Sequence, residues 1–172
     1  MQNNTELQRE ADEAVRVMKA GGIILYPTDT VWGLGCDATN AEAVERIYKL
    51  KRSENKKSML MLCASADMVV RYVNKAPGIA FEVMELATSP LTAILPGAAG
   101  VAENLIPEER TLGVRIPDHE FCRRILRGLG RPVVSTSANI SGEATPAGLA
   151  EVSREIIDGV DFVVNPRFEG KT

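Results

Sequence analysis

Leu25-Tyr-Pro-Thr-Asp-Thr-Val-Trp-Gly-Leu-Gly-Cys36 decides how this chain is read. The apolar run Ile23-Ile24-Leu25-Tyr26 predicts a short buried strand. Pro27 lacks the backbone donor that a central strand needs, so the strand should stop there. A loop then carries Thr28, Asp29 and Thr30, followed by the aromatic Trp32. Gly33 and Gly35 let the backbone bend or approach a ligand closely. Small polar groups beside an aromatic wall at a strand end suit a small-molecule pocket, and equally a glycine-rich turn around a buried Trp.

A second informative stretch comes over a hundred residues later. In Pro132-Val-Val-Ser-Thr-Ser-Ala-Asn-Ile-Ser-Gly-Glu-Ala-Thr145 a two-valine strand runs into Ser135, Thr136, Ser137, Asn139, Ser141 and Thr145, with Gly142 as the turn. Hydroxyls and loop amides gathered at a strand end suit phosphate or carboxylate oxygens. Any one of them also suits a loop that caps a helix. Between the two stretches, Thr111-Leu-Gly-Val-Arg-Ile-Pro117 predicts a strand with Thr111, Gly113 and Arg115 on one side and Leu112, Val114 and Ile116 on the other. An arginine in so apolar a strand needs an anion or a carboxylate partner.

The remaining elements follow from period and punctuation. Thr5 with Gln8 predicts a capping box for a first helix that ends at Gly21-Gly22, and Thr39 with Glu42 predicts one for a second. Val44, Ile47 and Tyr48 mark the buried face of that second helix, and Lys51 falls on the same face. Lys51 either snorkels out at the helix end or points into a cavity. Arg46, Lys49, Lys51, Arg52, Lys56 and Lys57 form a basic segment, either a solvated face or a clamp for a polyphosphate or RNA backbone. Further strands are expected at 58–63, 91–95 and 161–164, and helices at 66–73, 79–87, 121–129 and 149–157. Residues 98–109 and the C-terminal end are expected to be irregular. His119 is the single histidine and stands without a flanking nucleophile, which favours a cap or surface role. Asn165-Pro-Arg-Phe-Glu-Gly-Lys-Thr172 mimics a phosphate loop, but Asn165 replaces the first glycine and no helix follows.

The 172 residues suit one domain, with 45% hydrophobic and 25% charged residues to build a core and a surface. A net charge of -3 opposes a protein coated in positive charge for nonspecific nucleic-acid binding. Cys36, Cys63 and Cys122 form no CxxC pair, so neither a zinc site nor a disulfide framework is expected, and no metal site is assigned. No signal peptide or run of membrane length is present, and a cytoplasmic location with no membrane contact is expected.

Taken together, Tyr26-Pro-Thr-Asp-Thr-Val-Trp-Gly-Leu-Gly35, the Lys51 region, Gly113-Val-Arg-Ile-Pro117 and Ser135-Thr-Ser-Ala-Asn-Ile-Ser-Gly142 resemble the YrdC family over nearly the whole chain. The resemblance implies an α/β fold, a twisted open mixed sheet flanked by helices with a concave, positively charged cleft, as a single domain over residues 1–172. It implies a nucleotidyltransferase that condenses L-threonine, bicarbonate and ATP, with Mg2+ carried by the nucleotide, into threonylcarbamoyl-AMP and pyrophosphate. A downstream threonylcarbamoyl transferase complex would then place the group on tRNA. By motif position Thr28 would contact the threonine, Arg115 its carboxylate, and Ser135 the junction of the two substrates. Lys51, Asn55, Thr111, Ser137 and Thr145 would hold ATP, with Lys51 and Arg52 as the catalytic cations.

Two departures stand out. The family usually shows Lys-x-Arg where this chain has Lys51-Arg52-Ser53, leaving Arg52 or Lys57 as the replacement cation. The family pattern also continues from its Gly-Lys segment into Pro-Ser-Thr/Ser-Ile, which adds a hydroxyl to the threonine site. Here either a tail follows Thr172 or the pocket is incomplete. The rival readings are a double-stranded RNA-binding module contacting RNA or tRNA, a paralogous enzyme using another carbamoyl or acyl donor, and a structural subunit.

Overall fold

A computed structural model describes residues 1–53 and 59–170. Among these residues, α1 (Gln2–Lys19), α2 (Ala41–Lys51), α3 (Ala66–Tyr72), α4 (Gly78–Leu86), α5 (Glu120–Leu129) and α6 (Arg154–Gly159) flank one sheet. Its strands are β1 (Ile24–Pro27), β2 (Trp32–Gly35), β3 (Leu60–Leu62), β4 (Thr92–Pro96), β5 (Thr111–Arg115), β6 (Val133–Ser137) and β7 (Phe162–Val163). The order across the sheet is β4-β5-β3-β6-β2-β1-β7. The pairs β1–β7 and β3–β5 are parallel and the other four antiparallel, so the sheet is mixed and open, as the resemblance implies.

Period-two alternation gives this sheet two unlike faces. Leu95, Leu112, Val114, Met61, Val134, Leu34 and Leu25 share one face through their cross-strand pairings, and all are buried. The other face carries Thr92, Gly113, Arg115, Leu60, Ser135, Ser137 and Gly33, and several of these remain partly open. An apolar face buried under helices fixes the fold, because a slip of one residue would turn every leucine and valine outward.

Several expectations need correction. Trp32–Gly35 is a strand, not a turn. Gly35 is required by Tyr26, whose ring crosses it to donate its hydroxyl to the Val134 carbonyl at 3.1 Å. Pro27 does end β1, beyond Leu25, the last residue paired with β7. Ser135, Thr136 and Ser137 belong to β6 rather than to a loop after two valines. Neither expected capping box forms. α1 starts at Gln2, so Thr5 lies inside it, and α2 is capped by Asn40, whose side chain accepts from the Ala43 amide. Thr39 instead donates to Asp37.

The helix expected at 149–157 is broken into a 3-10 turn at Leu149–Glu151 and α6, with Ser153 capping the second piece. Residues expected to be irregular also contain short 3-10 turns, Glu103–Leu105 and Pro166–Phe168. The second of these positions Glu169, which accepts from Trp32 Nε1 at 2.7 Å, so the C-terminal end packs on the first motif. Asn165 caps that turn, its side chain accepting from the Arg167 amide. Ser58 and the rest of 54–58 lie outside the described residues, as do Lys171 and Thr172.

A methyl group on Gly35 would sit 2.5 Å from Tyr26 Cε1 and 2.8 Å from the Val134 carbonyl oxygen. Gly35→Ala should therefore destabilise the protein by about 2 kcal/mol or more in urea unfolding. A loss below about 0.5 kcal/mol would remove this packing constraint.

Candidate active site

The first loop and the β5–β6 face meet at one buried guanidinium. Arg115 ends β5 on the hydroxyl-bearing face and is only 4% exposed. A buried arginine needs compensation, and Asp29 supplies it with Oδ1 2.9 Å from Arg115 Nη1. The angle is that of an ion pair rather than a hydrogen bond, and the other carboxylate oxygen accepts from the Asp118 amide at 3.2 Å. Nη1 also donates to Thr30 Oγ1 at 3.1 Å. Arg115 Nε is buried with no hydrogen-bond partner among the described residues.

Arg115, Ser135 and Ser137 line one cavity of about 270 Å3 together with Thr30, Val31, Leu60, Thr92 and Thr136. Thr28 lines a neighbouring cavity of about 510 Å3, whose walls include Asp29, Ser65, Ile116, Pro117 and His119. A fixed cation and two serines converge on the smaller space. Thr28 is tied to it through Thr30, since the two hydroxyl oxygens are 3.1 Å apart.

Lys51 is buried at the last turn of α2, as its helical spacing requires. It neither snorkels nor opens onto solvent. Its ammonium donates to the carbonyls of Ser137 at 2.6 Å and Asn139 at 2.7 Å, and its own carbonyl accepts from the Ser141 amide. Two of its three N–H donors are thus engaged, and among the described residues one remains. Desolvation by burial pushes its pKa down to about 8.

The other expected residues are placed less centrally. Arg52, in the left-handed conformation at the end of α2, pairs with Glu155 at 2.6 Å. Arg46 pairs with Asp161 at 2.8 Å, so these two cations of the basic segment do not converge with Lys51 on the cavity. Thr111 is half-buried at the start of β5, and Thr145 is exposed. Asn55, Lys56 and Lys57 lie outside the described residues. His119 accepts from the Cys122 amide as the cap of α5, and its other ring nitrogen meets the Glu169 carbonyl at 2.7 Å. Asp29 and Thr30 were absent from the expected contacts. The signal for Asp29 was Arg115 itself, which asked for a carboxylate in a chain whose first loop offers one.

A profile of the Sua5, YciO and YrdC family, described as telomere recombination, matches residues 16–171. The threonylcarbamoyl-AMP synthase of Idiomarina loihiensis is 37% identical over 147 residues, 84% of this chain and 79% of that protein. The crystal structure of P. abyssi Sua5 complexed with L-threonine superposes with a TM-score of 0.84 at 26% identity, covering 92% of this chain and 47% of that one. E. coli YciO superposes with a TM-score of 0.81 at 29% identity, covering 95% of this chain and 80% of that one. The chain thus spans about half of the archaeal Sua5 chain and most of YciO. It belongs to the Sua5/YciO/YrdC family.

The depressed pKa of Lys51 has a stability consequence whose sign is fixed. Between about 8 and 10.5 the unfolded chain holds the lysine proton and the folded chain has released it. Stability therefore rises with pH across that window, by about 1.4 kcal/mol per unit of displacement. Urea unfolding at pH 7.5 and pH 10 should show the wild type gaining on Lys51→Met by a few kcal/mol. Parallel changes in the two proteins would mean that Lys51 is not depressed.

Proposed function

We propose that this protein is a threonylcarbamoyl-AMP synthase, condensing L-threonine, bicarbonate and ATP and releasing pyrophosphate, for tRNA threonylcarbamoyladenosine modification. The observation that carries the reading is the cavity where buried Arg115 stands beside Ser135 and Ser137. The relatives that bear that enzyme name support it. A guanidinium with an unspent edge suits an α-carboxylate, and serines two residues apart on one strand face can follow a substrate across its junction.

In this reading the threonine amine attacks the bicarbonate carbon and a C–O bond breaks with loss of water, giving a carbamate without an enzyme nucleophile. The carbamate oxygen attacks the α-phosphorus of ATP, and the bond from that phosphorus to the bridging oxygen breaks as pyrophosphate leaves. Such a step needs two anions held in line and their charge dispersed. Arg115 holds the threonine carboxylate, and Ser135 lies between the substrates. Ser137, Thr111, Asn55 and Thr145 hold the nucleotide, and the third N–H of Lys51 reaches a phosphate oxygen. Arg52 reaches the phosphates only by leaving Glu155, an exposed pair whose loss costs little.

A magnesium ion carried with the nucleotide would supply dispersal of phosphate charge. The carboxylate beside the cavity, Asp29, is spent on Arg115 and on the Asp118 amide, so phosphate and water oxygens would hold such an ion. The product passes to a downstream transferase that acts on tRNA. A double-stranded RNA-binding role is not adopted, since Arg46 and Arg52 already face Asp161 and Glu155.

Incubation with ATP, L-threonine and bicarbonate should yield threonylcarbamoyl-AMP by mass spectrometry, and removing bicarbonate should abolish it. Arg115→Gln should raise the KM for L-threonine at least about tenfold while the KM for ATP changes little, as loss of a charged hydrogen bond requires. Pyrophosphate release that ignores threonine would refute the substrate assignment.

A further inference from the structure

The first loop holds Arg115 through two threonine hydroxyls. Thr28 Oγ1 lies 2.7 Å from the Val31 carbonyl oxygen, which can only accept, so the single Thr28 hydroxyl proton is used there. The same oxygen accepts from the Thr30 amide at 3.1 Å and the Val31 amide at 3.2 Å, which fills both its lone pairs. Thr30 Oγ1 packs 3.1 Å from it and accepts from Arg115 Nη1 at 3.1 Å. Thr28 thus pins the turn of the loop, and the turn sets Thr30 against the guanidinium.

Thr28 Oγ1 is bonded within the loop, and Thr30 lies on the wall of the cavity that Arg115 shares. Asp29 holds the same Nη1 from the carboxylate side. Nη1 is thus fixed by the loop, and the Nε edge of the guanidinium is left without a partner. That is the division of labour expected where one end of an arginine is anchored and another edge is kept for a planar anion.

We propose that Thr30 is a positioning residue that, with Thr28 behind it and Asp29 beside it, sets the plane of the Arg115 guanidinium so that its Nε edge receives the substrate carboxylate. The inference deepens the function proposed above and rests on it for the identity of the carboxylate. The orientation of Arg115 can be tested without substrate. Thr30→Val removes the hydroxyl and keeps the shape, whereas Thr30→Ser keeps the hydroxyl.

The test pairs two readouts on the full chain. The first is the Arg115 Nε–H resonance in 15N spectra of the free protein, assigned by its loss in Arg115→Lys. The second is the KM for L-threonine and for ATP in pyrophosphate release. Thr30→Val should shift the Arg115 resonance or speed its exchange with water. It should also raise the L-threonine KM about tenfold with the ATP KM within twofold, and Thr30→Ser should restore both readouts. An unmoved resonance in Thr30→Val, or an L-threonine KM within twofold of the parent, overturns the positioning role. A resonance that responds in a protein showing no threonine-dependent pyrophosphate release upholds the hold of Thr30 on Arg115 and refutes the assigned reaction instead.

Discussion

The pairing of β2 with β6 is the constraint from which the site follows. Gly33 opposite Ser137 and Leu34 opposite Thr136 join two segments that lie about a hundred residues apart in the chain. The pairing is extended by the Ala138 amide bonding to the Trp32 carbonyl and by the Val134 amide bonding to the Cys36 carbonyl. Tyr26 reinforces it from the neighbouring strand by reaching across Gly35 to Val134. A bulkier side chain at Gly35 would push that ring away and separate the first loop from the strand that carries Ser135 and Ser137. The long-range contact gathers the polar groups, and the apolar face behind it keeps the register.

Two buried cations are compensated in different ways, and the difference matters. Arg115 has Asp29 as counter-charge and Thr30 as acceptor. Lys51 meets, among the described residues, the carbonyl dipoles of Ser137 and Asn139, so it pins the loop after β6 while desolvation lowers its pKa. Both groups are held by elements outside their own, so their positions are set before any ligand arrives. Arg46 and Arg52 are instead spent on exposed carboxylates, where solvent screening makes the pairs weak.

Much of this was legible in residue order. Periodicity placed Val44, Ile47, Tyr48 and Lys51 on one buried face of α2, and alternation placed Thr111, Gly113 and Arg115 on one side of β5. The motifs of the first loop and of β6 identified the family that the comparisons establish. Local signals failed where a distant partner decides the conformation. Gly33 and Gly35 look like turn residues, yet they are strand residues because Tyr26 and β6 lie against them. Asn40 took the cap that Thr39 was expected to provide, as Thr39 and its amide are engaged by Asp37. Asp29 and Thr30 were visible as loop residues, but their attachment to Arg115 spans more than eighty positions and leaves no trace in local spacing.

The side chains most often used as covalent nucleophiles are disarmed here. Cys36, Cys63 and Cys122 are all buried, and desolvation pushes each thiol away from the thiolate, to about 12 for Cys63. The one histidine has both ring nitrogens committed to the cap of α5 and to the Glu169 carbonyl. Ser135 and Ser137 share their cavity with an arginine, which cannot take a proton from them. In the function proposed, a site so furnished works by fixing where the charges of the substrates lie. Its rate should therefore depend on the angle at which Arg115 is held more than on the basicity of any one group. That places the energetic weight of the site on the loop that holds the arginine as much as on the arginine itself.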